Sequence, residues 1–63
     1  MVKMSIKAMR VNADLTQQGL ADATGISKAA IQSYETGKTS PTMERLERLC
    51  AACGVSPDNV RLR

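Results

Sequence analysis

The chain contains no histidine, phenylalanine or tryptophan, and Tyr34 is its single aromatic ring among 63 residues. Without histidine, the commonest general base and the commonest catalytic zinc ligand are both missing. One ring is too few for the stacking platforms that hold single-stranded nucleic acid. An enzyme is therefore not expected, and no cofactor is called for. Cysteine is sparse as well: Cys50 and Cys53 are too few, and too close together, to staple a small secreted domain. No apolar run approaches the ~20 residues a membrane span needs. The stretch Met1 to Met9 carries Lys3 and Lys7 with no apolar segment behind them, unlike a signal peptide. The expectation is a soluble, cytoplasmic protein with no membrane partner.

What is present is short and mildly basic. Nine Lys and Arg stand against six Asp and Glu, a net charge of +3. That leans toward an anionic partner without identifying one. A chain of this length is expected to form one domain, residues 1–63, burying only about 60% of its unfolded surface. With so few rings, its core must be aliphatic.

The periodicity is helical throughout. Ile6, Met9 and Ala13 recur at i, i+3 and i+7 behind Ser5, a residue type that caps helix starts. Asp14 and Leu15 interrupt this stripe. Thr16 then offers a second cap, and Leu20, Ala21 and Ala23 continue on a helical face until Thr24 and Gly25 end it. Ser27 opens a third helix with Ala30, Ile31 and Tyr34 facing inward, and Gly37 closes it. Residues 38–41 form a loop. Thr42 caps a fourth helix that places Met43, Leu46, Leu49, Cys50 and Cys53 on one face, with Glu44, Arg45, Glu47 and Arg48 outward. Gly54 stops it, and Ser56-Pro57 starts a last short turn. No strand alternation competes. The predicted fold is all-α, a compact bundle of four to five helices.

The second and third helices carry the functional information. Spanning about 16–24 and 27–36 and joined around Gly25, they have the sequence form of a helix-turn-helix. Small Ala21 permits a close crossing, and Ile26, Ile31 and Tyr34 anchor the third helix from below. Lys28, Ala29, Gln32 and Ser33 remain on its opposite face, free to enter a major groove about 12 Å wide.

Those residues resemble the lambda-repressor and Cro type of helix-turn-helix domain. The matching words are Leu15-Thr16-Gln17, Leu20-Ala21, Gly25-Ile26-Ser27, Ile31, Glu35-Thr36-Gly37-Lys38, Pro41, Leu46, Leu49 and Gly54-Val55-Ser56, spread from about Ile6 to Val60. The resemblance implies double-stranded DNA binding. By position, Lys28, Ala29, Gln32 and Ser33 would read bases, Lys28 at guanine O6 and N7 and Ala29 at a thymine methyl. Thr16, Gln17, Ser27, Thr36, Lys38 and Ser40 would contact phosphates, Gln17 also bracing the recognition helix. Arg10 and Glu35 match a pair that relatives use as a salt bridge between the first and third helices, with a phosphate contact by Arg10 as the lesser alternative.

This chain departs from the family pattern in places. Gln18 and Gly19 stand where glutamates are common, Thr24 where an apolar residue is usual, and Asp14 where glycine is usual. Gly19 inside a helix costs ~1 kcal/mol against alanine, so the second helix should be locally weak. With few long side chains on the recognition face, sequence readout is expected to be modest.

Three further features have simpler readings. Cys50-Ala-Ala-Cys53 lies in the last turns of a helix, where the dipole opposes a thiolate, and two more zinc ligands are lacking; core packing is expected, and no metal. Glu44 to Arg48 reads as a solvated face with weak ion pairs, a phosphate contact by Arg45 or Arg48 being the lesser alternative. Arg61-Leu62-Arg63 is a short basic tail, open to solvent, a dimer contact or a continuing domain. Tyr34 is expected to be a core anchor.

Two functions of different class follow. The first is a small sequence-specific transcription regulator of Cro-like repressor type. It would bind as a homodimer on a two-fold operator with half-sites about 34 Å apart, and its origin would be prokaryotic, phage or mobile-element. The alternative is a protein-interaction module or antitoxin subunit, with a toxin or other protein as partner and weak or no independent DNA binding. Its basis is the low charge of residues 27–40, where Lys28 and Lys38 are the only cations.

Overall fold

Each helix begins at a side-chain hydroxyl that accepts an N–H from its own first turn. In the computed structural model, which describes residues 3–61, Ser5 Oγ accepts from Ala8 at 3.0 Å, Thr16 Oγ1 from Gly19 at 2.9 Å, Ser27 Oγ from Ala30 at 3.2 Å, and Thr42 Oγ1 from Arg45 at 3.2 Å. Such caps satisfy donors that no helical carbonyl can reach. The elements they start are α1 (Ile6–Asn12), α2 (Gln17–Thr24), α3 (Lys28–Thr36) and α4 (Met43–Cys53). A single 3₁₀ turn, Pro57–Asn59, follows behind Ser56. Leu62 and Arg63 of the basic tail lie outside the described residues.

One layer of aliphatic side chains holds these helices together. Met9, Leu20, Ile31, Leu49 and Cys50 are fully enclosed, with Ile6, Ala21, Ile26, Leu46 and Val60 around them. Burying a side chain the size of Ile31 or Leu20 stabilises the fold by roughly 1.5–3 kcal/mol. The α2 helix packs against both α3 and α4, and α1 packs against α3 and α4. Ala21, the small residue expected at the crossing, is buried.

Three details differ from the sequence expectations. Met43 was placed on the inward face of the fourth helix but is 66% exposed. It is the first residue of α4, and burial on that helix begins one turn later, at Leu46. Two short strands also form, β1 (Met4–Ser5) and β2 (Val60–Arg61), paired in parallel with Met4 beside Val60 and Ser5 beside Arg61. Two residues are too few for period-two alternation to register in a sequence. Lastly, Thr24, standing where an apolar residue is usual, has a polar role. Its hydroxyl donates to the Leu20 carbonyl at 2.8 Å and accepts from the Ile26 N–H at 3.2 Å, stitching the turn that leads into α3.

Gly25 and Asp14 adopt positive φ for different reasons. Gly25 ends α2 at φ 74°, a conformation that costs glycine little. Asp14 holds φ 58° between α1 and α2 and is the only non-glycine residue to do so among those described. The usual glycine at this position thus has a physical cause, and Asp is among the few residues that tolerate its absence. Gly19, by contrast, is an ordinary helical residue. A methyl there would meet Thr16 Oγ1 at 3.2 Å and Leu15 Cδ2 at 3.5 Å, crowding the cap of its own helix.

Candidate nucleic-acid interface

The α3 helix has two chemically distinct faces. Ile31 and Tyr34 point into the core, while Lys28, Ala29 and Gln32 are exposed and Ser33 is half-buried. Lys28 and Gln32 lie one turn apart, as do Ala29 and Ser33, so the four form a compact patch on the outer side. Three residues, Gly25, Ile26 and Ser27, separate α3 from α2.

A chain of polar contacts ties this patch to the other helices. Arg10 on α1 meets Glu35 on α3 twice, Nε to Oε2 at 2.6 Å and Nη2 to Oε1 at 3.1 Å. Both side chains are largely buried, at 12% and 4% exposure. Donating its hydrogen bonds to the Glu35 carboxylate raises the affinity of the Arg10 guanidinium for its proton, outweighing the opposing effect of burial. Arg10 also donates through Nη1 to the Leu15 carbonyl at 2.8 Å, fixing the turn between α1 and α2. Gln17 Nε2 donates to Glu35 Oε1 at 3.1 Å, and Gln17 Oε1 accepts from Gln32 Nε2 at 3.1 Å. Arg10, Gln17, Gln32 and Glu35 therefore form one connected network from α1 through α2 to α3.

The remaining predicted residues occupy three separate places. Thr16 and Ser27 cap α2 and α3, and each hydroxyl keeps its own proton available to an incoming acceptor while its oxygen accepts from the helix. The first amides of these helices lack intrahelical partners, as at any helix start. Thr36 is the last residue of α3 and donates to the Ser33 carbonyl at 3.3 Å. Lys38 and Ser40 are exposed in the following loop, whose course is set by Lys38 N–H donating to the same Ser33 carbonyl at 3.0 Å.

One residue in this region escaped the sequence reading. Lys7 lines an open cleft of about 410 Å³ together with Arg10, Gln17, Gln32, Glu35 and Thr36. Its signal was available: Lys7 sits three residues before Arg10, which places both on one side of a helix. Arg45 was read as part of a solvated face, but it donates to the Tyr34 hydroxyl at 2.8 Å. Glu44 and Arg48 do form an exposed i, i+4 pair at 2.7 Å. Cys50 is buried and Cys53 half-buried, both as free thiols packed with the core. Burial pushes both thiols up, with the neighbouring Cys53 adding to the effect at Cys50 and Arg10 partly offsetting it at Cys53. Among the described residues, no three His, Cys, Asp or Glu side chains gather to hold a metal, and no helix is long and apolar enough to cross a membrane.

Two helices packed on each other, a three-residue turn, and an outer helix with a free polar face define a helix-turn-helix domain. Residues 6–60 match the helix-turn-helix family HTH_3, and the chain belongs to it. That family, of Cro/C1 type, consists of DNA-binding transcription regulators. The chain is 36% identical over 55 residues to the cryptic phage CTXphi transcriptional repressor RstR of Vibrio cholerae, covering 87% of this chain and 50% of that protein. It is 36% identical over 53 residues to the SPbeta prophage-derived uncharacterized HTH-type transcriptional regulator YonR of Bacillus subtilis, covering 84% and 49%. It is also 36% identical over 56 residues to the antitoxin PezA of Streptococcus pneumoniae, covering 89% and 35%. The chain thus spans half or less of the length of these curated relatives. No solved structure matches it at a significant level.

Proposed function

We propose that the chain binds double-stranded DNA sequence-specifically as a small transcription regulator of Cro-like repressor type, laying residues 27–36 in the major groove. The observation that carries this reading is the free outer face of α3, where Lys28, Ala29, Gln32 and Ser33 lie together while Ile31 and Tyr34 anchor the helix from behind. In this reading those four residues meet base edges, Lys28 at guanine and Ala29 at a thymine methyl. Thr16, Gln17, Ser27, Thr36, Lys38 and Ser40 meet phosphates and set the register of the helix. Arg10 and Glu35 hold α1 to α3 and touch no DNA. The likeness to two phage-type regulators supports it. The protein acts as one domain, as a homodimer on a two-fold operator, in the cytoplasm, without a cofactor and without catalysis of its own.

A second reading is favoured by the likeness to the antitoxin PezA and by the low charge of the recognition region. In it the same fold serves as an interaction module or antitoxin subunit, with a toxin or other protein as its partner. Titration with duplex DNA at several salt concentrations separates the two. A regulator loses affinity steeply with salt, the slope of log affinity on log salt being about 0.9 for each phosphate neutralised. Absence of salt-dependent duplex binding at low ionic strength overturns the first reading in favour of the second.

A further inference from the structure

We infer that Lys7 and Arg61 grip the phosphate backbone of DNA at the carbonyl end of α3, so that the two ends of the chain supply anchoring charge that the helix-turn-helix itself lacks. The inference rests on the reading of α3 as a groove-binding helix and adds to it a set of contacts outside the motif. Two open clefts border the last turn of α3. One, of about 410 Å³, has Lys7 on its α1 wall, and the other, of about 470 Å³, has Arg61 on its β2 wall. Glu35 and Thr36 line both, so the two cations flank the end of the helix. The parallel pairing of Ser5 with Arg61 brings this about, because it sets the last strand against the residues that lead into α1.

Charge and exposure fit a polyanion. Lys7 and Arg61 are both exposed, and the ion pairs among the described residues, Arg10 with Glu35 and Arg48 with Glu44, involve neither. Among the described residues, Glu35 is the one acidic side chain that lines either cleft, and Arg10 already holds it. The carbonyl end of a helix carries roughly half an elementary negative charge, so a phosphate beside Thr36 meets a field that opposes it. Two neighbouring cations reverse that field. Lys38, exposed in the loop that follows, adds to them. Residues 27–40 by themselves hold Lys28 and Lys38 as their cations, and the fold places two more beside the same helix. A nucleic-acid backbone is the anion that suits this arrangement. It passes a groove-bound helix as a line of regularly spaced charges, and contacts to it fix position without reading sequence.

The test measures duplex affinity against salt for the wild-type chain, Lys7→Gln, Arg61→Gln and the double variant, on a duplex that the wild type selects from a random library. Each single substitution should lower the slope of log affinity on log salt by about 0.9 per subunit bound, and the double one by about twice that. Over a fourfold rise in salt, the wild type should therefore lose roughly three- to fourfold more affinity per subunit than either single variant. Base preferences should not change, because phosphates carry no sequence. Lys7→Arg and Arg61→Lys should keep the wild-type slope, and all variants should melt with the wild type, since both side chains are exposed. Ethylation of individual phosphates gives a readout that a general loss of charge would not move. Each glutamine variant should become indifferent to ethylation at one phosphate where the modification blocks the wild type. Unchanged salt slopes, or an ethylation pattern identical to that of the wild type, overturn the inference and leave the DNA-binding reading standing. Absence of salt-dependent duplex binding by the wild type overturns that reading, and this inference with it.

Discussion

The Arg45 guanidinium reaches across from α4 and donates to the Tyr34 hydroxyl at 2.8 Å, joining the charged face of one helix to the buried anchor of another. Tyr34 is only 8% exposed, so its ring packs the core while its oxygen emerges beside Arg45. Tyr34→Phe should keep the packing and lose only this bond, a cost of about 0.5–1.5 kcal/mol in urea unfolding. Arg45→Ala should cost a similar amount, and the double variant should cost little more than either single one. Full additivity of the two would show that the contact contributes nothing.

The ion pair between Arg10 and Glu35 carries more weight because it is enclosed. Removing one partner of a buried pair leaves the other charge without compensation, at about 3–5 kcal/mol. Arg10→Met should therefore lower the melting temperature strongly, and the loss of the bond to the Leu15 carbonyl adds to the effect. Such a cost rivals the whole stability of a domain this small. Unchanged melting of Arg10→Met would remove the pair from any account of the fold.

Asp14 should be improvable. At φ 58° it bears a conformational strain that glycine does not. Glycine gives back part of that gain through the greater freedom of the unfolded chain. Asp14→Gly is expected to stabilise by about 0.5 kcal/mol, whereas Asp14→Val, β-branched and without a polar group to bond locally, should destabilise by at least ~1 kcal/mol. Chemical denaturation of the two variants checks the order.

Alkaline pH should weaken the fold through the thiols. Burial raises both Cys50 and Cys53 above the ordinary value of 9.0, so the folded state keeps protons that the unfolded chain releases. Their contribution to stability is then fully present below about pH 9 and is lost as pH rises through the folded-state values. Urea midpoints measured from pH 8 to pH 10.5 should fall more steeply for wild type than for Cys53→Ala. Equal slopes would exclude Cys53 as a source of the effect.

Lys28 and Lys38 should separate in their effect on DNA. Lys28→Ala should change which base is preferred at one position, while Lys38→Ala should weaken all duplexes alike and lower the salt slope by about 1. The reverse pattern would exchange their roles as base reader and phosphate contact.

What the sequence disclosed, and what it hid, follows the range of the interactions involved. Ser5, Thr16, Ser27 and Thr42 were legible as helix starts because each bonds an amide three residues away. The inward set of Ile6, Met9, Leu20, Ile31 and Leu49 followed from periodicity alone. Arg10 and Glu35 were paired only through the family resemblance, since nothing local relates two residues so far apart. The pairing of Met4 with Val60 joins opposite ends of the chain and left no trace in either segment. The links from Gln17 to Gln32 and from Arg45 to Tyr34 depend on how three helices are set against one another. Met43 looked apolar and in phase, yet phase alone does not say where along a helix burial begins.

Gly25 has a stereochemical consequence. At φ 74° it occupies a conformation natural to an amino acid of the opposite hand, and a methyl there would meet no atom within 4 Å. An l-alanine at this turn is strained by roughly 1–2 kcal/mol through its chirality rather than through crowding. A d-alanine, placed by chemical synthesis, would suit the backbone already present and would restrict the unfolded chain at the junction of α2 and α3. The angle between those two helices thus hinges on a residue that matters for having no handedness at all.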